Sequence, residues 1–286
     1  MFSTYNINWS DRLLAGVRII QESWRIVYKL TFKNLDFITS KSNLYTEIMK
    51  TLGISSNCLM KRPLFEALEM LSPLTEYVEI MSACGHTLPD FSEAAESFSL
   101  RYSVHSPTSD GNIAEPHERL RTASLSVIRE SAEAADALGA ETLVIHPGFC
   151  LAADMFSASE AALMQSIADL GRMQEEFSVR FVMENLGSWD CCHFRFSNLL
   201  PHIRACGLGF CLDVGHANLN RALPEFLQEK PEHVHLHDNH GGWDEHAACG
   251  SCGIDFSSVM KLDAVGIIEC MEFDAVLESL EYLKRF

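Results

Sequence analysis

Six stretches of the chain end in residues that bind metal ions or carry protons. They read His105-Ser106-Pro107, His146-Pro147-Gly148, Glu184-Asn185, Asp213-Val214-Gly215-His216, His235-Leu236-His237-Asp238-Asn239 and Ile268-Glu269, and Asp244-Glu245-His246 follows the fifth of them. Imidazole and carboxylate together suit Zn, Mn, Co or Fe and, less obviously, Mg. One to three ions are expected. A single His at a strand end is ordinarily a hydrogen-bonded core residue. Six successive strand ends of this kind are a different case. Carboxylates are rarely buried unless paired or metal-bound, and several together without a cation are strained by like charge.

The elements that must position these residues follow a regular rhythm. Short apolar runs lie at 52–59, 77–81, 100–105, 142–146, 180–184, 209–213, 233–237 and 266–269, each bounded by Gly, Pro, Ser, Asn or Asp. That is the signature of buried parallel strands. Between them lie helical patterns at 63–71, 118–138, 159–177 and 275–283. In the second, Leu125, Ile128, Ala132, Ala135 and Leu138 recur at helical spacing and Gly139 stops the pattern. In the last, Leu277, Leu280 and Leu283 are expected to face the core. Eight strands alternating with helices over residues 49–286 predict an α/β single domain, a (β/α)8 TIM barrel. An open doubly wound sheet would need fewer strands, and no Gly-rich phosphate loop follows the first run. Strand parity puts Val182 with Glu184, Cys211 with Asp213, and His233 with His235 and His237. Residues at barrel strand C-termini converge on the mouth where such enzymes do their chemistry.

Charge divides the chain. The 286 residues carry 22 Lys+Arg against 39 Asp+Glu, a formal net charge of −17. Residues 1–50 are +3, which leaves −20 on residues 51–286. Residues 1–48 show only weak helical pattern and do not join the rhythm. They are expected to be an N-terminal extension, either helical or absent from the native protein. With 47% hydrophobic and 21% charged residues the chain is not intrinsically disordered. Its acidity argues against nucleic-acid binding, which depends on phosphate neutralisation by Lys and Arg. No segment approaches about 20 uninterrupted apolar residues, so no membrane span is expected, and nothing reads as a signal peptide. The ten Cys are expected to be reduced thiols in a cytoplasmic protein. Cys249 and Cys252 form a lone C-x-x-C, weak evidence for metal or redox chemistry.

At this point the residues resemble a known group, the xylose-isomerase-like TIM-barrel superfamily. It includes sugar isomerases, sugar epimerases and the endonuclease IV family of apurinic-site endonucleases. The resemblance spans Met49 to Phe286. It rests on Cys211-Leu-Asp-Val-Gly-His-Ala, on His235-Leu-His-Asp-Asn followed by Asp244-Glu-His246, and on Gly253-Ile-Asp-Phe followed by Glu269. It implies a metal set of Glu184, Asp213, His235 and Glu269, as in the isomerases and epimerases. The endonuclease set adds His105, His146, His216, Asp244 and His246. Three departures stand out. Thr108 occupies the place of a DNA-distorting Tyr, residues 81–90 contain no Lys or Arg, and Cys252 stands where relatives usually have Gly.

The resemblance implies a divalent-metal-dependent isomerase or epimerase of a small-molecule sugar or sugar phosphate. Glu184 and Glu269 would be its acid–base pair, working through an enediolate. His216 would bind metal or hold a substrate hydroxyl, and Asn185 and Asp238 would orient ligands. The mouth-loop residues Trp189 and Trp243 are expected either to stack on a sugar ring or to cover the barrel rim. The alternative is a multinuclear-zinc phosphoesterase like the apurinic-site endonucleases. A second alternative is a metal-binding barrel without catalysis. A homo-oligomer is compatible with either enzyme.

Overall fold

The computed structural model describes residues 49, 51–86, 96–108, 111–187 and 189–286. The expectation for residues 1–48 falls outside the described residues. Eight parallel strands close into one barrel in sequence order. They are β1 (Thr51–Ser55), β2 (Tyr77–Met81), β3 (Arg101–His105), β4 (Thr142–Ile145), β5 (Arg180–Glu184), β6 (Gly209–Asp213), β7 (His233–Leu236) and β8 (Val265–Ile268). The described helices are α1 (Leu64–Leu71), α2 (Glu118–Leu138), α3 (Phe156–Gln174), α4 (Leu200–Ala205), α5 (Val214–Leu219), α6 (Leu223–Phe226), α7 (Phe256–Val259) and α8 (Phe273–Leu283). Ile54 of β1 pairs with Val78 of β2 on one side and Ile268 of β8 on the other, which completes the ring.

Local chemistry explains where the elements stop. Gly139 ends α2 in the left-handed conformation, at φ 72°, with its amide on the Ala135 and Asp136 carbonyls. The first apolar run turns away from strand geometry after Ser55. The Ser55 side chain accepts the Asn57 amide and starts a single 3-10 turn over Ser56–Leu59. In α8 the buried apolar residues are Val276, Leu280 and Leu283, while Leu277 is 40% exposed. The core-facing stripe therefore includes Val276 rather than Leu277. It recurs at i, i+4 and i+7, the helical period that the three leucines alone do not keep.

Two packed regions result. The larger lies between sheet and helices, where Phe181, Phe210, Phe226 and Ile145 fill the space outside the strands. The barrel interior is different. Its apolar part is a small cluster of Val144, Val182 and Cys211. Beside it sit Glu79, Ser103, His105, Glu184, Asp213, His233 and His235, all buried. A barrel interior is ordinarily filled by branched apolar side chains. This one carries its polar groups from the floor to the mouth. All ten cysteines are free thiols. Among the described residues no helix is long and apolar enough to cross a membrane.

Candidate metal centre at the barrel mouth

Strand register and short turns bring the candidate residues together. Asp213 ends β6 and caps α5, its Oδ1 accepting the His216 amide at 2.6 Å. The tight Asp213–His216 turn thus sets a carboxylate and an imidazole side by side. Asn185 ties the ends of β5 and β6. Its Nδ2 donates to the Asp213 carbonyl at 3.0 Å, and its Oδ1 accepts the Asp213 amide at 2.8 Å.

The first group of donors is built on Glu184. Its Oε2 lies 3.0 Å from His105 Nε2 and 3.1 Å from His146 Nε2, and its Oε1 lies 3.2 Å from His216 Nδ1. A second group surrounds His235. Its Nδ1 is 3.0 Å from Glu269 Oε2, 3.5 Å from Glu184 Oε1 and 3.7 Å from Asp213 Oδ2. A third group is centred on Asp244, whose Oδ2 is 3.0 Å from His216 Nε2 and 3.2 Å from His246 Nε2. All nine residues of the combined set therefore meet at one end of the barrel, and Glu184 and His216 are shared between groups.

Three other expected residues stand apart. Both oxygens of Asp238 are occupied by backbone amides. Oδ1 accepts from Asn239 and Ile254, and Oδ2 from Gly250, Cys252 and Gly253. Asp238 thereby organises the loop at 250–254. Trp189 and Trp243 are 69% and 67% exposed. Cys249 is buried, and its amide donates to Ser279 Oγ. Cys252 Sγ lies 3.7 Å from Glu245 Oε2, and Glu245 in turn holds His240.

The site also contains residues beyond the expected set. Glu79 of β2 sits below the mouth with His233 and His235 on its two oxygens. His237 Nε2 lies 3.0 Å from Asp213 Oδ1, and its ring stacks on His246 at 3.9 Å. A signal for Glu79 exists in the sequence. It is a carboxylate in the middle of an otherwise apolar five-residue strand, where burial demands a partner.

Electrostatically the cluster is closed on itself. Among the described residues, the ion pairs of Glu79, Glu184, Asp213, Asp244 and Glu269 are all with histidines. Burial alone would raise Glu184, but His146 and His235 outweigh it and hold the carboxyl well below its usual range. Burial is likewise overcome at Asp213 by His216 and His237, and at Glu269 by His235, so both are lowered. The opposite happens to the imidazoles. Burial would lower His216 and His235. Asp213 and Asp244 raise His216 well above the ordinary range, and Cys211, Glu79, Glu269 and Glu184 do the same for His235. His246 is pushed up to about 9 by Asp244 and Glu269 against its burial. Protons on imidazoles here balance a concentration of negative charge that a divalent cation would balance equally well.

The donor set fits a cation on a second ground. His235 Nδ1, His237 Nδ1 and Asp244 Oδ1 are buried without a hydrogen-bond partner. Three groups in this region, His105/His146/Glu184, Glu184/Asp213/His216 and His216/His237/Asp244/His246, have donor atoms within 4.8 Å of one another. Nitrogen and oxygen donors in such sets suit zinc, manganese or cobalt.

Comparisons with known proteins agree with this architecture. The family model described as xylose isomerase-like TIM barrel matches residues 65–285. An uncharacterized protein of Methanocaldococcus jannaschii is 32% identical over 251 residues, covering 82% of this chain and 99% of that protein. Among solved structures, a D-tagatose 3-epimerase-like protein superposes with a TM-score of 0.75 at 26% identity, covering 82% of this chain and 96% of that one. The IolI protein with a binding zinc atom has the same fold, with a TM-score of 0.65 at 16% identity over 82% of this chain and 94% of that one.

Proposed function

The chain belongs to the xylose isomerase-like TIM barrel family, and from that premise we propose that it is a divalent-metal-dependent isomerase or epimerase of sugars or sugar phosphates. The observation that carries the reading is the environment of His235 Nδ1. It has no hydrogen bond of its own and faces the carboxylates of Glu269, Glu184 and Asp213 within 3.7 Å. Those four residues would hold the ion. When bound, it supplies electrostatic stabilisation for negative charge developing on a carbonyl oxygen.

The chain's own residues do the rest. Glu184 and Glu269 approach the mouth from β5 and from the end of β8, with two strands between them. One takes the proton from the carbon beside the sugar carbonyl and the other returns it, through an enediolate. His105 and His146 fix Glu184 from its Oε2 side, and Asn185 fixes the Asp213 backbone. Trp189 and Trp243 offer exposed aromatic faces in the loops after β5 and β7, the kind of surface on which a sugar ring stacks. The similarity to a D-tagatose 3-epimerase-like protein supports a ketose substrate class.

The test is substitution of the two carboxylates. Glu184→Gln and Glu269→Gln should each lower turnover by about 10²–10⁴-fold, the usual contribution of a positioned acid or base. The variants should keep the circular-dichroism spectrum of the parent. Near-normal activity in either one sinks the two-carboxylate mechanism.

A multinuclear phosphoesterase is the second reading. It is favoured by one observation, that the donors form several overlapping groups instead of one. Thr108 in place of an aromatic residue and the −20 charge on residues 51–286 oppose a duplex substrate. Metal stoichiometry separates the readings. One ion per chain supports the isomerase or epimerase, and two or three support the phosphoesterase.

A further inference from the structure

Below the mouth a second polar layer crosses the barrel. Glu79 on β2 is fully buried. Its Oε2 accepts from Ser103 Oγ at 2.9 Å and lies 2.7 Å from His233 Nε2. Its Oε1 lies 3.0 Å from His235 Nε2 as a close ion-pair contact, and both atoms are buried without a hydrogen-bond partner. Register explains the assembly. Glu79 stands opposite Ser103 across β2 and β3, and His235 stands opposite Asp213 across β6 and β7. The two ring nitrogens of His235 therefore point to different partners. Nδ1 faces the mouth carboxylates of Glu269, Glu184 and Asp213, and Nε2 faces Glu79.

A buried carboxylate held by two imidazoles and a hydroxyl is a poor device for stability. Well-packed apolar side chains of similar volume commonly do as well or better. It is, however, what a ligating histidine needs. A neutral imidazole has one N–H, and the nitrogen that carries it cannot also present a lone pair to a cation. Three carboxylates around Nδ1 would draw that proton to Nδ1 and block it as a donor. A carboxylate at the opposite nitrogen draws it the other way.

We propose that Glu79 is a positioning residue. It accepts the Nε2–H of His235 and so fixes the tautomer that leaves Nδ1 open to the cation at the mouth, while His233 and Ser103 hold Glu79 in place. The proposal rests on the reading of His235 as a metal ligand. Partners of this kind typically contribute 10–100-fold to metal affinity.

The test uses the full chain, with zinc as the probe. Two measurements are made, zinc affinity by chelator competition and histidine side-chain ¹H–¹⁵N spectra of the zinc-loaded protein. The wild type is expected to show His235 protonated at Nε2 and ligated at Nδ1. Glu79→Gln, nearly isosteric, is expected to bind the same number of ions 10–100-fold more weakly and to shift the His235 Nε2–H resonance. A residue with only a packing role would change the melting temperature and leave affinity and tautomer alone. His235 ligated through Nε2 in the wild type, or an unchanged affinity in Glu79→Gln, overturns the proposal while leaving the metal reading intact. A wild type that binds no zinc, or whose His235 resonances do not respond to zinc, overturns both.

Discussion

Metal ligation requires neutral histidines, and the structure surrounds its histidines with carboxylates that favour the charged form. His216 and His235 are raised well above the ordinary range and His246 to about 9. Binding of a divalent ion should therefore release protons, and its affinity should climb as pH rises from about 6.5 toward 9. Calorimetric titration with zinc in buffers of different ionisation enthalpy measures both effects. A pH-independent affinity in this range would show that the histidines do not ligate. At this scale the residues that gather at the barrel mouth were legible in the sequence, because His, Asp and Glu at strand ends break an apolar pattern. Asp238 looked the same in sequence as the candidate ligands beside it. Only the fold shows that its oxygens are taken by five backbone amides. The partners of Glu79, His233 and His237, by contrast, emerge only once strands far apart in sequence are placed side by side.

Short turns between strand and helix set the precision of the site. Gly215 leaves room for the His237 ring, since a Cβ there would lie 2.0 Å from His237 Cε1. Gly215→Ala should displace His237 from Asp213 and weaken zinc binding, measurable by chelator competition. Zinc binding equal to wild type would show that the ring position is immaterial. Asp238→Ala should cost about 2–5 kcal/mol in denaturant unfolding, because removing a buried charged acceptor leaves several amides unpaired. A loss below about 1 kcal/mol would mean that water replaces the carboxylate. Helix α2 was readable to the residue because a long apolar period ended at Gly139. The first strand was overextended because the apolar run 52–59 continues through the 3-10 turn that the Ser55 side chain starts. Apolar content does not distinguish a buried strand from a buried turn.

The barrel balances an acidic interior with its own histidines, and this gives its metal-free form a distinctive pH profile. Histidines whose values are raised on folding stabilise fully below their unfolded value near 6.5 and lose that contribution as pH rises through the folded value, about 9 for His246. Carboxylates lowered on folding, Glu184 and Glu269 among them, contribute above about 4.5 and lose that contribution as pH falls. The metal-free protein should be most stable between about pH 5 and 6.5 and should weaken toward pH 9. The zinc-loaded protein should hold its stability over the same alkaline range, since the cation takes over from the protons. Thermal melts with and without chelator check this, and parallel profiles would contradict it. The same excess of acid outside the first 50 residues predicts no measurable binding to duplex DNA carrying an abasic site at physiological salt. Fluorescence anisotropy tests that prediction, and salt-sensitive binding would revive the phosphoesterase reading. The barrel itself was legible because eight apolar runs and the helical patterns between them kept one rhythm. The polar floor beneath the mouth was not, because it depends on pairings across the closed sheet.

As proposed above, Glu184 and Glu269 move a proton at the carbon beside a sugar carbonyl. The most direct measurement is ¹H NMR of a panel of ketoses and ketose phosphates incubated in D₂O with the zinc- or manganese-loaded protein. Deuterium incorporation at that carbon is expected for at least one sugar, and its loss in both Glu184→Gln and Glu269→Gln. Absence of exchange across the panel, together with hydrolysis of a phosphodiester by the same preparation, would contradict it.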